Sequence, residues 1–368
     1  MRLSEQLSYF MSRTYFLSKA GAGSNPNKPP CERKHMADGS STWIATPNIA
    51  VIKYWGRRDA SLNLPCNGSI SITLDETVKT KTTVKFDSKL AKDMLILNGK
   101  AATVEETKRA SRILDFVRRV KGMKLRAQVV SENNFPTGAG IASSASGFAA
   151  LSCAACDAAD LRISKKELSM LARLGSGSAC RSALGGFVEW KAGVRKDGRD
   201  SYATQVAPRA NWPEIIDIVA IIDSKRKKIG SEEGMDITVK TSSLFQKRLR
   251  EVPNRIAWMK SAIDERDFPK LAGLAMEDSD SMHASMAGSK PPISYLNGTS
   301  RAIMAAVLEL NRNEGKTVAG YTFDAGPNAH VLALKKDEKK VAGALKGIEG
   351  VERLLSCGIG NGPRKAAQ

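Results

Sequence analysis

Phosphate-handling chemistry concentrates in the stretch Phe135 to Gly147, FPTGAGIASSASG. Gly138 and Gly140 let the backbone turn tightly and present bare N–H groups. Ser143 and Ser144 follow where a small-residue helix opens, and the amide end of a helix favours negative charge. Together these residues form a cradle suited to a polyphosphate. No Gly-Lys-Ser/Thr closes the loop as in a Walker A motif, and the GxGxxG dinucleotide fingerprint is absent. On their own the same residues also describe a flexible loop with serines at the start of a buried helix.

A second glycine- and serine-rich stretch, GSGSACRSALGGFVEW from Gly175 to Trp190, sets Ser176 and Ser178 close to Arg181. A guanidinium can take a carboxylate or a phosphate in two-pronged fashion, although a surface position is the commoner fate of an arginine. Asp324 stands before Ala-Gly-Pro-Asn, a context that equally shapes a hairpin turn. Lys53 ends an apolar run, where it is either the exposed edge of a strand or a compact charge for a phosphate. His283 and His330 lack partners at ligand spacing and read as structural. Of six cysteines only Cys153 and Cys156 form a CxxC, inside an alanine-rich helix with no second pair. They read as core residues rather than zinc ligands, and the thiols as reduced and intracellular.

The elements that must carry these residues follow from periodicity. Thr42 to Trp55 reads as strand, Pro-Asn turn, strand. Alternation from Val78 to Phe86 predicts a half-exposed strand, Thr103 to Val120 an amphipathic helix, Leu125 to Val130 a strand, and Ser143 to Ala159 a small-residue helix. After Trp212-Pro213 the run Ile215 to Ile222 predicts a buried strand. Helices are expected over Ser243–Arg266, Phe268–Ser285 and Ser300–Asn313, then strand-turn-strand (Tyr321–Leu334), helix (Glu338–Leu345) and strand (Glu352–Ile359). That order predicts an α+β chain whose second part is an antiparallel sheet covered by helices. The expected divisions are a disordered extension over 1–39, a first domain over 40–213 and a second over 214–368. The extension, rich in Arg and Ser, is open to reading as a transit peptide, a disordered arm, or translation upstream of Met36.

The 368 residues are 42% hydrophobic and 26% charged, with a net charge of +19. No run approaches the roughly 20 apolar residues of a membrane-spanning helix, so a soluble chain is expected. The positive excess fits nucleic acid, an anionic surface or a polyanionic substrate. Lys and Arg are spread along the chain, aromatics are 6%, and no recognition helix or zinc-finger pattern is present. Salt-sensitive nucleic-acid binding is therefore the distant alternative.

Pro136 to Ala145 resembles the ATP-binding motif of the GHMP kinase superfamily. Three further segments resemble its mevalonate diphosphate decarboxylase branch: PNIAVIKYWGRRD (Pro47–Asp59), Gly175–Trp190, and YTFDAGPNAHV (Tyr321–Val331). ENNFPTGAG, WPEI, ERDFP and PPISYLN are family-like as well. The resemblance covers nearly all the chain after the first 35 or so residues. It implies a two-domain fold, an N-terminal α/β domain plus a ferredoxin-like C-terminal domain, with the active site in the cleft between. It implies conversion of mevalonate diphosphate and ATP to isopentenyl diphosphate, ADP, phosphate and carbon dioxide. Asp324 matches the catalytic aspartate and Lys53 an active-site lysine; Arg181 and Ser144 complete the catalytic assignment. Gly138, Gly140, Ser143 and Ser144 are assigned to ATP phosphates, with Mg²⁺ carried mainly by the nucleotide and touched by Ser144. Asn48, Tyr54, Arg57, Ser176, Ser178, Arg181 and Met235 are assigned to substrate, with Met235 on a loop where the family has S-x-x-G-M. Arg57 replaces the family's usual lysine. A monophosphate decarboxylase or a mevalonate-type kinase is the nearest alternative, and retention of Lys53 and Asp324 favours full decarboxylation. A cytoplasmic homodimer is expected, with an organelle open through the N-terminal extension.

Overall fold

Pro47 divides the first apolar run between two sheets. The computed structural model describes residues 39–135, 143–222 and 229–367. Strand β1 (Ser40–Ala45) precedes the proline and β2 (Asn48–Ile52) follows it. In chain order come β3 (Arg57–Asp59), β4 (Leu64–Pro65), β5 (Ser69–Thr73), β6 (Thr80–Asp87), β7 (Met94–Leu97), β8 (Lys100–Ala101) and β9 (Arg126–Asn133). They continue with β10 (Phe187–Trp190), β11 (Ala203–Ala207), β12 (Ile215–Ile221), β13 (Ala319–Phe323), β14 (Ala329–Leu334), β15 (Arg353–Cys357) and β16 (Arg364–Lys365). Three sheets result, ordered β16-β1-β6-β9-β7-β8, β11-β10-β5-β2 and β13-β14-β12-β15, with β3 and β4 a separate pair. Every pairing is antiparallel except β7 with β9.

Helices α1 (Val104–Lys121), α2 (Ser143–Ala158), α3 (Lys165–Gly175) and the single turn α4 (Ala179–Ser182) belong to the first half of the chain. Capping boxes start two of them: Thr103 with Glu106 for α1, and Ser164 with Glu167 for α3. Each satisfies two backbone donors that a helix start leaves open. α2 is lined with small residues because it packs closely against β1 and β6. Cys153 and Cys156 are buried there, and burial pushes both thiols up, Cys153 to about 12. They are packing residues, as expected.

The second half holds α5 (Ser231–Thr241), α6 (Ser243–Glu265), α7 (Phe268–Ala287), α8 (Gly298–Asn313) and α9 (Glu338–Lys346). Helix α7 packs on β13 and also on β2 of the other half. One apolar core accordingly runs through both halves, from Ile49 and Ile72 through Leu271 and Ala275 to Val219 and Leu332. The last strand, β16, returns to pair with β1. No described helix is long and apolar enough to cross a membrane.

Candidate active site

The end of β2 delivers Lys53 to the centre of the molecule. Its Nζ donates to Asp324 Oδ1 at 2.7 Å, and the lysine side chain is 1% exposed while that of Asp324 keeps 34%. Asp324 follows β13 and faces a cavity of about 470 Å³. Burial pushes the Lys53 ammonium below its ordinary value, against the pull of the Asp324 carboxylate. For Asp324 burial acts the other way and is outweighed, Lys53 foremost, so the carboxyl lies below its usual range.

Lys53 has left the strand ladder, and its peptide groups are caught from the far half. Its N–H donates to Asp278 Oδ2 at 2.6 Å, and its carbonyl accepts from Arg248 at 3.2 Å and Asn67 at 2.9 Å. Arg248 and Asp278 are themselves paired at 2.8 Å with both side chains fully buried, and Arg255 reaches the other oxygen of Asp278 at 3.3 Å.

Arg181 sits on α4, 3% exposed, and lines the same cavity. Its Nε donates to Asn48 Oδ1 at 3.1 Å and its Nη1 to Ser69 Oγ at 2.6 Å. Asn48 is fixed in turn by donating to Ser182 Oγ at 2.8 Å. Among the described residues no carboxylate comes within ion-pair distance of Arg181. A buried cation of this kind is costly unless an anion arrives.

Ser143, Ser144, Ser176 and Ser178 line the cavity opposite Asp324. The Ser144 and Ser176 hydroxyls are 3.4 Å apart. Ser143 opens α2, a helix of sixteen residues, and a helix start carries a positive dipole end. Gly138 and Gly140 lie outside the described residues. Gly177 has no room for a side chain: a Cβ would fall 2.9 Å from the Tyr54 hydroxyl and 3.1 Å from Trp190. Tyr54 lines the cavity, packs edge-on to Trp190 with centroids 4.7 Å apart, and burial pushes its phenol up, so it stays protonated.

Two assignments come out differently placed. Met235 lies inside helix α5 and not on a loop; Glu232 and Glu233 in the first turn suit the positive end of a helix. It lines the cavity while packing with Trp55, Phe245 and Met282. Arg57 does not line the cavity. Its guanidinium is taken by Glu232 at 2.8 Å and Asp236 at 2.7 Å. Gly56 before it has φ +90 and abuts Phe245, which only glycine permits.

Several cavity residues escaped the sequence reading: Arg109 of α1, Glu232 of α5, and Trp55, whose buried indole N–H has no partner among the described residues. A narrower cavity of about 170 Å³ opens from the same point through Arg109, Ser143 and Ser144. Leu95, Leu97, Val129 and Phe148 give it apolar walls and Asn98 and Ser131 polar edges. A flat heterocycle attached to phosphates fits that pairing of spaces. Among the described residues no three of His, Cys, Asp and Glu gather as a metal cage.

The class follows from matches to two domain families in sequence order. Residues 45–203 match the diphosphomevalonate decarboxylase-like N-terminal domain, and 217–365 match the mevalonate 5-diphosphate decarboxylase C-terminal domain. Diphosphomevalonate decarboxylase of Aspergillus fumigatus is 48% identical over 84% of this chain and 80% of its own. That of Saccharomyces cerevisiae is 42% identical over 81% and 78%. The crystal structure of mevalonate diphosphate decarboxylase from Staphylococcus aureus superposes with a TM-score of 0.84 at 37% identity, covering 90% of this chain and 99% of that one. A structure described as MDDEF in complex with MVAPP, AMPPCP and magnesium gives 0.83 at 38%, covering 90% and 100%. The chain belongs to the diphosphomevalonate decarboxylase family.

Proposed function

We propose that the chain decarboxylates mevalonate diphosphate at the expense of ATP, releasing isopentenyl diphosphate, ADP, phosphate and carbon dioxide. The carrying observation is Arg181, a buried guanidinium without a carboxylate partner among the described residues, facing the cavity that Asp324 lines with Lys53 bonded behind it. Such a site binds an anion and positions a carboxylate beside a reacting group.

Asp324 accepts the proton of the tertiary hydroxyl as its oxygen bonds to the γ-phosphorus of ATP and the bond to ADP breaks. Lys53 holds Asp324 ionised beforehand and offers positive charge to the transferring phosphoryl group. The new phosphate then leaves with its bonding pair. The carbon–carbon bond to the carboxylate supplies electrons for the alkene, and carbon dioxide departs. Arg181 holds an anionic end of the substrate, and Tyr54, Ser176 and Ser178 offer hydroxyl donors beside it. Ser143, Ser144 and the start of α2 receive the nucleotide phosphates, with its base in the narrower cavity. Magnesium, when bound, would neutralise phosphate charge, and the Ser144 hydroxyl is the protein oxygen assigned to it. The nucleotide-binding part is assigned to residues 40–213, and residues 214–368 supply Asp324.

The test is a coupled ADP assay with mevalonate diphosphate, its monophosphate and mevalonate, trapping carbon dioxide. Equimolar ADP and carbon dioxide with the diphosphate, lost in Asp324→Asn, is the expected result. ADP without carbon dioxide would make the chain a kinase, and turnover of the monophosphate alone would overturn the diphosphate assignment.

A further inference from the structure

We propose that Glu232 is an internal competitor for the guanidinium groups beside the anion cavity, so that its carboxylate sets the affinity of this chain for the substrate's diphosphate. The inference rests on the reading above that this cavity takes a diphosphate.

Each oxygen of Glu232 is held by a different arginine. Arg57 Nη1 lies 2.8 Å from Oε2, and Arg109 Nη2 lies 3.2 Å from Oε1. The two arginines come from separate parts of the first half, and the carboxylate bridges them at the first turn of α5, where Arg57 Nη2 also donates to the Glu232 carbonyl at 3.4 Å. Glu232 and Arg109 line the cavity and Arg57 does not. The carboxylate therefore stands between the cavity and a guanidinium at its edge.

Both arginines keep their places without Glu232. Arg57 is also gripped by Asp236, through Nη2 at 2.7 Å and Nε at 3.3 Å. Arg109 donates to the Gly175 carbonyl at 2.9 Å and lies over the Phe148 ring at 5.2 Å. Removing the Glu232 charge thus leaves Arg109 a positioned cation without a carboxylate partner among the described residues, and Arg57 held by Asp236, rather than releasing two loose side chains. Glu232 itself is half exposed, at 50%, so its ion pairs are solvent-screened and contribute little to stability. A half-exposed monovalent carboxylate is readily displaced by a multivalent diphosphate, and the displacement is a cost to every binding event. The S-x-x-G-M pattern leaves both central positions unspecified, and here they are Glu232 and Glu233.

Glu233 supplies the control, since it carries the same charge one residue away and does not line the cavity. Two readouts are compared in the full chain: KM for mevalonate diphosphate, and Kd for inorganic pyrophosphate by calorimetry, which needs no turnover. Glu232→Gln is expected to lower both by roughly three- to tenfold, and Glu233→Gln to change neither by more than about twofold. Glu232→Asp, one methylene shorter, is expected to fall between, and thermal melting verifies that all three variants fold. Unchanged or raised values in Glu232→Gln, an equal fall in Glu233→Gln, or no pyrophosphate binding in any variant would overturn the proposal. If the parent chain fails to turn over mevalonate diphosphate while Glu232→Gln still tightens pyrophosphate, the functional reading falls and the competition stands.

Discussion

Asparagine at position 324 would leave Lys53 a buried ammonium without the carboxylate now 2.7 Å from it. Turnover is expected to drop by about 10² to 10⁴, the range of a lost proton acceptor. The same pair shapes the pH dependence. Protonation of Asp324 ends activity on the acid side, below the usual carboxylate range because its folded value is depressed. Loss of the Lys53 proton ends it on the basic side, earlier than an ordinary lysine because burial lowers it. A kcat/KM profile whose basic limb lay above the ordinary lysine value of 10.5 would contradict this assignment. Sequence alone left Asp324 poised between turn and catalysis, because Asp-Ala-Gly-Pro-Asn does shape the turn between β13 and β14. Its partner is a lysine 271 positions away, and no local pattern encodes so distant a contact.

Helices α6 and α7 carry a signal that periodicity makes visible afterwards. In α6 the buried positions Phe245, Arg248, Val252, Arg255, Met259 and Ile263 follow three- and four-residue spacing, with two arginines on the apolar face. In α7 Leu271, Leu274, Ala275, Asp278 and Met282 do the same, with a carboxylate among them. A charge on the apolar face of one helix calls for its opposite on the neighbour. The helices themselves were legible from this spacing to within a few residues, as were β12 and the β13–β14 hairpin. Strands β5, β10 and β11, and helices α3 and α5, went unread: they are short, or their apolar spacing is interrupted by the serines and glycines that build the cavity. Asp278→Asn leaves Arg248 and Arg255 without their shared carboxylate and removes one of the two oxygens that serve them and the Lys53 N–H. A loss of about 3–5 kcal/mol in chemical denaturation is expected, far beyond that of an exposed change such as Asp264→Asn. Gly177→Ala forces Tyr54 and Trp190 apart, so a raised KM is expected from kinetics with the diphosphate.

Over the whole molecule, the partly buried histidine His283 couples folding to pH. Burial first, then the Lys53 charge, pushes its imidazole down to about 4. In the unfolded chain it takes a proton near 6.5. Between those values the unfolded state binds more protons, so stability present above pH 6.5 is lost as pH falls towards 4. The contribution is on the order of 3 kcal/mol at its fullest. Guanidinium unfolding at pH 7.5 and pH 5 is expected to show a steeper loss in the parent than in a His283→Gln variant.

The return of the chain's end to its beginning has a consequence for how the protein is made. Strand β16 covers the outer edge of β1, and just before it Gly360 bonds through both its peptide groups to Thr73 and Gly186 of the first half. On the ribosome, where the N-terminal portion emerges first, β1 lacks this partner until Arg364 and Lys365 have been made. An unpaired edge invites pairing with other chains. A nascent chain interrupted before residue 364 therefore lacks the strand that covers this edge of β1, and the arrival of Arg364 and Lys365 is the step that covers it.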